Sequence, residues 1–497
     1  MLVIFFVFLF LLGGCGGTDY PPELVSYGQS ADTLQAGESA VLWAVAVDPD
    51  GDQVTYSWSA SQGYFVDPEE DTVIWQSPEN PDVNNVNIQV IITDATGLSF
   101  IKDFEIVLTS EPVPHDTTEN QPPVITGYGQ SLTKSLLGEN VNFWIHAEDP
   151  EGENLSYIWT ATNGNFSSIS DDSVNWWTYE YTGLTNIGVI VFDTHGSMSA
   201  RTFQVKVSGG TWTSGNKLPI RLYNPAFATV DGKIYIIGGN SDGSSLNTTY
   251  IYDPSTGVWS MGANMPTART AASATVCDGK IYVIGGRVVE TDEYLAVNEV
   301  YDPATNTWET RASMPTARSK AGAACVDGKI YVIGGFDGSK FYTINEEYDP
   351  TTDTWKTKAS MFTPRNRMVT VVYKGYIYCI GGGQEWYNTT DANERYNPAT
   401  NSWEVMARLP EGRRGMGWGI IGENLVVFSG KNSNAEYVSR VDVYCFEDDR
   451  WTTGLTGKPT PCENCGCGTV NDTIYLIGGW NSYLYDPYLD VNEVFSR

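Results

Sequence analysis

Gly279-Lys280-Ile281-Tyr282-Val283-Ile284-Gly285-Gly286 joins an apolar strand to a diglycine, and the chain repeats that join. Diglycines recur at Gly238-Gly239, Gly334-Gly335, Gly381-Gly382 and Gly478-Gly479, with Ser429-Gly430 standing in once. Tryptophans fall at 212, 259, 308, 355, 403 and 451, spaced 47, 49, 47, 48 and 48 residues apart. Five of them follow a tyrosine by seven positions: Tyr252, Tyr301, Tyr348, Tyr396 and Tyr444. So regular a period marks a repeat architecture, in which each unit buries its apolar face against the next.

The unit resembles the Kelch motif throughout residues 212–497. That resemblance implies one four-stranded blade per unit, its first strand lining a central channel and its last at the rim. The sixth unit carries Val491-Asn492-Glu493-Val494-Phe495 and then lacks a Tyr-to-Trp strand, whereas Trp212 precedes the first diglycine without a blade of its own. The strand around Trp212 is therefore expected to complete the sixth blade and remove the open edge.

Upstream the chain contains a second, longer repeat. Ser26-Tyr27-Gly28-Gln29-Ser30 returns as Gly127-Tyr128-Gly129-Gln130-Ser131, Asp48-Pro49-Asp50-Gly51-Asp52 as Asp149-Pro150-Glu151-Gly152-Glu153, and Tyr56-Ser57-Trp58 as Tyr157-Ile158-Trp159, each offset by 101 residues. Segments such as Val54-Tyr56-Trp58 and Ile88-Val90-Ile92 place apolar residues at alternate positions, the pattern of a sheet buried on one face. The copies resemble bacterial Ig-like modules of the PKD/cadherin-like kind. The expectation is an all-β chain, a six-bladed Kelch propeller preceded by two β-sandwich (Ig-like) domains, with sandwiches at 23–110 and 122–208, a stiff linker at 111–121 and the propeller at 209–497. In the acidic turns, Asp48, Asp50, Asp52 and Asp94 offer hard oxygen atoms that suit calcium, and Asp149, Glu151, Glu153 and Asp193 are their partners in the second copy. The alternative is a solvated turn in which Asp bonds nearby backbone N–H groups.

Residues Leu2 to Leu12 are an unbroken apolar run, too short to span a bilayer as a helix but suited to a signal peptide. Leu12-Gly13-Gly14-Cys15 resembles the lipobox of bacterial lipoproteins, although no Lys or Arg precedes the run. The resemblance implies removal of residues 1–14, lipid on Cys15, a tether over 15–22 and a membrane-anchored, extracytoplasmic protein. Residues 1–210 hold 28 acidic and 4 basic residues, a net −24, and the whole chain is at −31. So acidic a surface repels phosphate backbones, which argues against nucleic acid as a partner.

The functional residues are sought in the propeller. Its three-histidine chain places His115, His146 and His195 all upstream, which removes Ser-His-Asp, Cys-His and His-metal chemistry from residues 212–497. Met265-Pro266-Thr267-Ala268-Arg269, Met314-Pro315-Thr316-Ala317-Arg318, Met361-Phe362-Thr363-Pro364-Arg365 and Leu409-Pro410-Glu411-Gly412-Arg413 repeat an arginine at each blade, with Arg221 read as the first-blade counterpart and Cys462 as the sixth. In Kelch adaptors of animal ubiquitin ligases, arginines of this segment contact acidic peptides, and Pro364-Arg365-Asn366-Arg367 is similar to that pattern. The ring Arg221, Arg269, Arg318, Arg365, Arg367 and Arg413 is thus the expected anion site, and backbone carbonyls of the blades are its structural alternative.

Loops after the diglycines carry Tyr294, Tyr342, Trp386, Tyr387, Trp480 and Tyr483, rings that suit sugar faces or peptide side chains. The expectation is non-covalent binding of an anionic protein segment or glycan, without a catalytic residue or resident cofactor beyond calcium. The alternatives are a carbohydrate-active enzyme similar to exported Kelch sialic acid mutarotases, or a part of an envelope assembly. Cys277 and Cys325 read as buried small residues, and Cys462-Glu463-Asn464-Cys465-Gly466-Cys467 as the place of a local disulfide.

Overall fold

A computed structural model describes residues 21–29, 33–47, 54–66, 71–78, 81, 84–109, 120–179, 181–384 and 388–497. Cys15, Asp48, Asp50, Asp52, Trp386, Tyr387 and most of the linker lie outside the described residues. Every strand or helix assigned among the described residues is a strand. The chain divides into two compact units, one drawn from Met1–Tyr128, Ile145–Ile158 and Val189–Arg201, the other from Gly129–Trp144, Trp159–Gly188 and Thr202–Arg497.

The 101-residue repeat is structural. Glu23–Gln29, Ser39–Val47, Thr72–Gln76 and Tyr64–Val66 form one four-stranded sheet, and Thr33–Gln35, Ser99–Thr109, Asn85–Thr93 and Thr55–Ala60 another. The same two strand orders recur in the second copy. Alternation puts Val86, Ile88, Val90 and Ile92 into the first copy's core, where Trp58 stacks on Phe104 at 5.5 Å between centroids. In the second copy Trp159 stacks on Phe203 at 5.9 Å.

From Thr211 onward six four-stranded antiparallel sheets follow one another. In the second, Ser273–Cys277, Lys280–Ile284, Asn298–Asp302 and Thr307–Arg311 pair in chain order. The seven-residue spacing has a geometric cause: Tyr301 and Trp308 pair across the third and fourth strands, ring centroids 5.1 Å apart. The Trp308 indole N–H then donates to Ala263 O of the preceding blade at 2.8 Å, and Trp355, Trp403 and Trp451 repeat the link. Buried apolar clusters lie between neighbouring blades, so each sheet loses its core if its neighbour leaves.

Closure is by the expected strand. Thr211–Ser214 pairs antiparallel with Asn492–Ser496, Trp212 opposite Phe495, and the sixth blade is completed from the upstream end. The two cysteines read as separate buried residues correct that expectation: Cys277 and Cys325, on the first strands of adjacent blades, form a disulfide with Cα atoms 5.6 Å apart. Small, apolar surroundings had suggested packing alone, but the same positions of adjacent blades face one another.

Candidate functional site at the propeller mouth

Two rings of backbone hydrogen bonds frame one mouth of the channel. In the outer ring, the second glycine of each diglycine donates to the next blade: Gly239 to Arg269 O, Gly286 to Arg318 O, Gly335 to Arg365 O, Gly382 to Arg413 O, Gly430 to Cys462 O and Gly479 to Leu222 O, at 2.9–3.0 Å. This contact explains the diglycine. Gly285 has φ +67°, and a Cβ there would lie 2.4 Å from Arg318 O. Ser429 takes the glycine place at φ 54° and turns its hydroxyl to the same kind of carbonyl, donating to Cys462 O at 2.9 Å.

In the inner ring, the residue two positions before each first strand donates to its neighbour. Asn224 donates to Asn464, Asn464 to Gly415, Gly415 to Arg367, Arg367 to Lys320, Lys320 to Ala271 and Ala271 to Asn224, at 2.8–3.1 Å. All six lie at φ between 52° and 63°, the left-handed region that turns both amide groups along the ring. The six bonds close on themselves.

The expected arginine ring does not serve this mouth. Arg269, Arg318, Arg365 and Arg413 are at most 1% exposed, and each guanidinium meets a buried acid: Glu299, Glu346, Glu394 and Asp442. Arg318 also donates to Gly334 O, Val332 O and Thr316 O at 2.8–2.9 Å, all within its own blade. Burial lowers the pKa of all four, and the partner acid opposes that shift. Their arrangement is a cross-brace of second and third strands, buried away from any ligand at the surface. The expectation fails because recurrence at every blade reports a need of every blade.

Arg221 is a second correction. The inner ring aligns Asn224 with Ala271, so Leu222 takes the arginine place in blade one and Arg221 falls one position earlier. Leu222 is buried, while Arg221 lies half-exposed beside Asp486 and Asp490.

Arg367 alone of the expected arginines reaches the mouth. It belongs to the inner ring, and its Nη1 lies 3.3 Å from Glu463, which also stands 3.6 Å from Arg414 Nε. Lys320 is the neighbouring ring residue, and Arg287 follows the diglycine of the blade before it. Burial first, then the guanidinium groups of Arg367, Arg287 and Arg414, hold the Lys320 ammonium well below the usual lysine range, with Glu463 opposing. Four cations thus gather near one buried carboxylate, Glu463, which pairs with two of them, and Asp292 pairs with Arg287.

Across the mouth stands an aromatic wall. Tyr223 packs on Trp480 at 5.0 Å and Tyr488 at 5.4 Å, and Trp480 on Tyr488 at 4.9 Å. Burial first raises the Tyr223 pKa, and the charges of Arg367, Arg287 and Glu463 reach its hydroxyl, which places the wall beside the cations. Among the other expected rings, Tyr294 packs edge-on to Phe336, and Tyr342 donates to Asp337 Oδ2 at 2.5 Å. Tyr483 is exposed, packs on Tyr437 and donates to Ala435 O at 2.8 Å. Lys320, Arg287, Arg414, Glu463 and Tyr223 were missed. For Lys320, Arg414, Glu463 and Tyr223 the signal was present one or two positions after the arginine place, where the units differ, and Arg287 directly follows a diglycine.

In the upstream modules, Asp94 Oδ1 accepts the N–H groups of Thr96, Gly97 and Leu98 at 2.8–3.0 Å, the hydrogen-bonded turn. Asp193 Oδ1 does the same for His195 and Ser197. Glu153, Asp193 and His195 bring three ligand atoms within 4.8 Å, but His195 Nδ1 is held 2.7 Å from Glu153.

The geometry agrees with two family comparisons. Residues 224–408 match the KLHDC2/KLHL20/DRC7 Kelch-repeats domain, and residues 461–497 match the Kelch motif. The solved structure titled "Structure of YjhT" is similar at TM-score 0.50 and 18% identity, over 57% of this chain and 96% of that one. The fold is all-β, with a Kelch propeller at residues 211–497.

Proposed function

We propose that this Kelch propeller is a binding module whose mouth takes a carboxylate-bearing sugar of an acidic glycan. The single observation that carries the reading is the arc of Arg287, Lys320, Arg367 and Arg414 facing the Tyr223, Trp480 and Tyr488 wall. Guanidinium and ammonium groups gathered round one acid are stabilised by an added anion, and a ring wall covers the apolar face of a pyranose. The upstream sandwiches act as Ig-like spacers, and lipid on Cys15 holds the chain at a membrane outside the cytoplasm. The Cys277–Cys325 disulfide supports that compartment, since such bonds persist where the surroundings are oxidising.

Calorimetry on the full chain tests the reading with three probes: an oligogalacturonate, a neutral oligosaccharide of equal length and a glutamate-rich peptide. The sugar acid should bind, its affinity falling with salt, and Arg367→Ala should weaken it at least about tenfold, the worth of one charge-assisted contact. Binding of the peptide alone would make the partner an acidic protein segment. Preference for the neutral sugar would end both versions.

A second reading, an enzyme working on the same sugar acid, is favoured by Lys320, whose ammonium is held below the usual lysine range by burial and the neighbouring guanidinium groups and so gives up its proton more readily. Exchange of sugar anomers followed by NMR, with and without the protein, separates the two.

A further inference from the structure

Between Cys462 and Cys465 lie only Glu463 and Asn464. Glu463 is the carboxylate at the centre of the cation arc, and Asn464 is one link of the inner hydrogen-bond ring. The three cysteines of this stretch are free and buried. Cys465 Sγ lies 4.0 Å from Cys467 Sγ on one side and hydrogen-bonds Cys462 on the other. Cys467 lines the axial cavity of about 280 Å³ that the first strands enclose, with Phe227, Ala274 and Trp418 among its walls. The Lys458 ammonium stands close enough to Cys462 and Cys465 to interact with both.

We propose that Cys467, Cys465 and Cys462 are a thiol relay that carries a disulfide from the axial cavity to the loop holding Glu463 and Asn464. The oxidant is a low-molecular-weight disulfide small enough for the cavity. The Cys467 thiolate attacks one of its sulfurs, forming a mixed disulfide and releasing one small thiolate. Cys465 attacks the Cys467 sulfur, releasing the second small thiolate and joining Cys465 to Cys467. Cys462 then attacks the Cys465 sulfur, joining Cys462 to Cys465 and returning Cys467 as a thiolate. The balance is one small disulfide reduced to two thiols and one protein dithiol oxidised, the two protein protons ending on the released thiols and Cys467 regaining its own.

The arrangement explains why the relay starts at Cys467. The hydrogen bond to Cys465, then burial, pushes the Cys462 thiol well above its usual range, which makes it a poor first nucleophile. Lys458 favours the thiolate once a proton leaves. Closing Cys462 on Cys465 confines Glu463 and Asn464 to a short covalent loop, so the product is registered at the mouth. That registration rests on the mouth being the binding site.

The test uses the intact protein and 2-hydroxyethyl disulfide, followed by alkylation and fragment mass spectrometry. Expected is a Cys462–Cys465 disulfide with Cys467 alkylated, while Cys379 and Cys445 are unchanged. Cys467→Ser should slow its formation at least about tenfold without changing the product, and Cys462→Ser should stop at Cys465–Cys467. Melting curves of each variant identify one that has unfolded, and the wild-type result stands without them. A mixed disulfide that stays on Cys467, or three thiols still alkylatable, overturns the relay. Oligogalacturonate affinity of the oxidised form should differ at least about fivefold from the reduced form. An equal affinity overturns the coupling, and absence of binding to both forms overturns the mouth reading while the relay stands.

Discussion

Lys458 Nζ occupies, beside Glu493, the place that an arginine Nη1 takes in blades two and three. It donates to Thr460 O at 2.6 Å as Arg269 Nη1 does to Thr267 O and Arg318 Nη1 to Thr316 O. The sixth blade therefore keeps the cross-brace after losing its arginine to Cys462. The cation simply approaches from the methionine position, four residues upstream.

Removing that cation leaves Glu493 buried and alone. Lys458→Met should lower stability by about 3–5 kcal/mol, the loss measured when one partner of a buried pair is taken away. Adding Cys462→Arg restores the brace in the form used by the other blades, and should recover more than half of the loss. Urea unfolding of the single and double variants decides it, and a double variant no better than the single would show that the two braces are not equivalent.

Lys320 is expected to behave in the opposite sense. Its folded-state pKa lies below its unfolded value, so between the two the unfolded chain binds more protons than the folded one. The destabilisation is complete below that window and fades as pH rises toward the ordinary lysine value of about 10.4. Lys320→Met should therefore melt higher than wild type at neutral pH, with the gap narrowing in alkali. The same variant should bind oligogalacturonate more weakly, which a purely structural lysine would not show.

Gly415 is the glycine of the inner ring, at φ +63°, and a Cβ there would meet Asn464 Oδ1 at 2.6 Å and Glu463 Cβ at 3.0 Å. Gly415→Ala should cost about 1–2 kcal/mol for the left-handed backbone alone. It should also disturb Glu463, so sugar-acid affinity is expected to change together with the melting temperature. Unchanged affinity would separate the ring from the site.

The Cys277–Cys325 bridge spans 48 residues and joins two adjacent blades. Loop entropy puts its contribution near 4 kcal/mol, so replacing both cysteines by alanine should lower stability by about that amount or somewhat less. Chemical denaturation with and without reductant measures it directly, and equal midpoints would exclude the bridge.

The propeller was legible because its units repeat what every blade needs: a glycine where a carbonyl approaches, a tyrosine opposite a tryptophan, an apolar strand. Closure by the Trp212 strand could be read for the same reason. The site was largely illegible for the converse one. Arg318 recurs as Arg269, Arg365 and Arg413 and is buried, whereas Lys320 stands where the other units carry Asn224, Ala271, Arg367, Gly415 and Asn464. Arg221 shows the limit of alignment by eye, since one residue of misregister exchanged a surface arginine for the buried Leu222. The partner acids, two positions before each tyrosine, could have been found by asking which carboxylate a buried arginine would require.

The inner ring is sixfold in its backbone and onefold in its charges. A frame of six like positions would let an anion settle in six like orientations, a loss of definition equivalent to about 1 kcal/mol on the scale where tenfold is 1.4. With Lys320 and Arg367 on adjacent blades, Ala271 and Gly415 on either side of them and Asn464 and Asn224 opposite, a single heading is preferred. On the proposed reading the mouth is a compass for its guest: symmetry builds the bearing, and its breaking sets the direction in which the rest of a longer chain would leave.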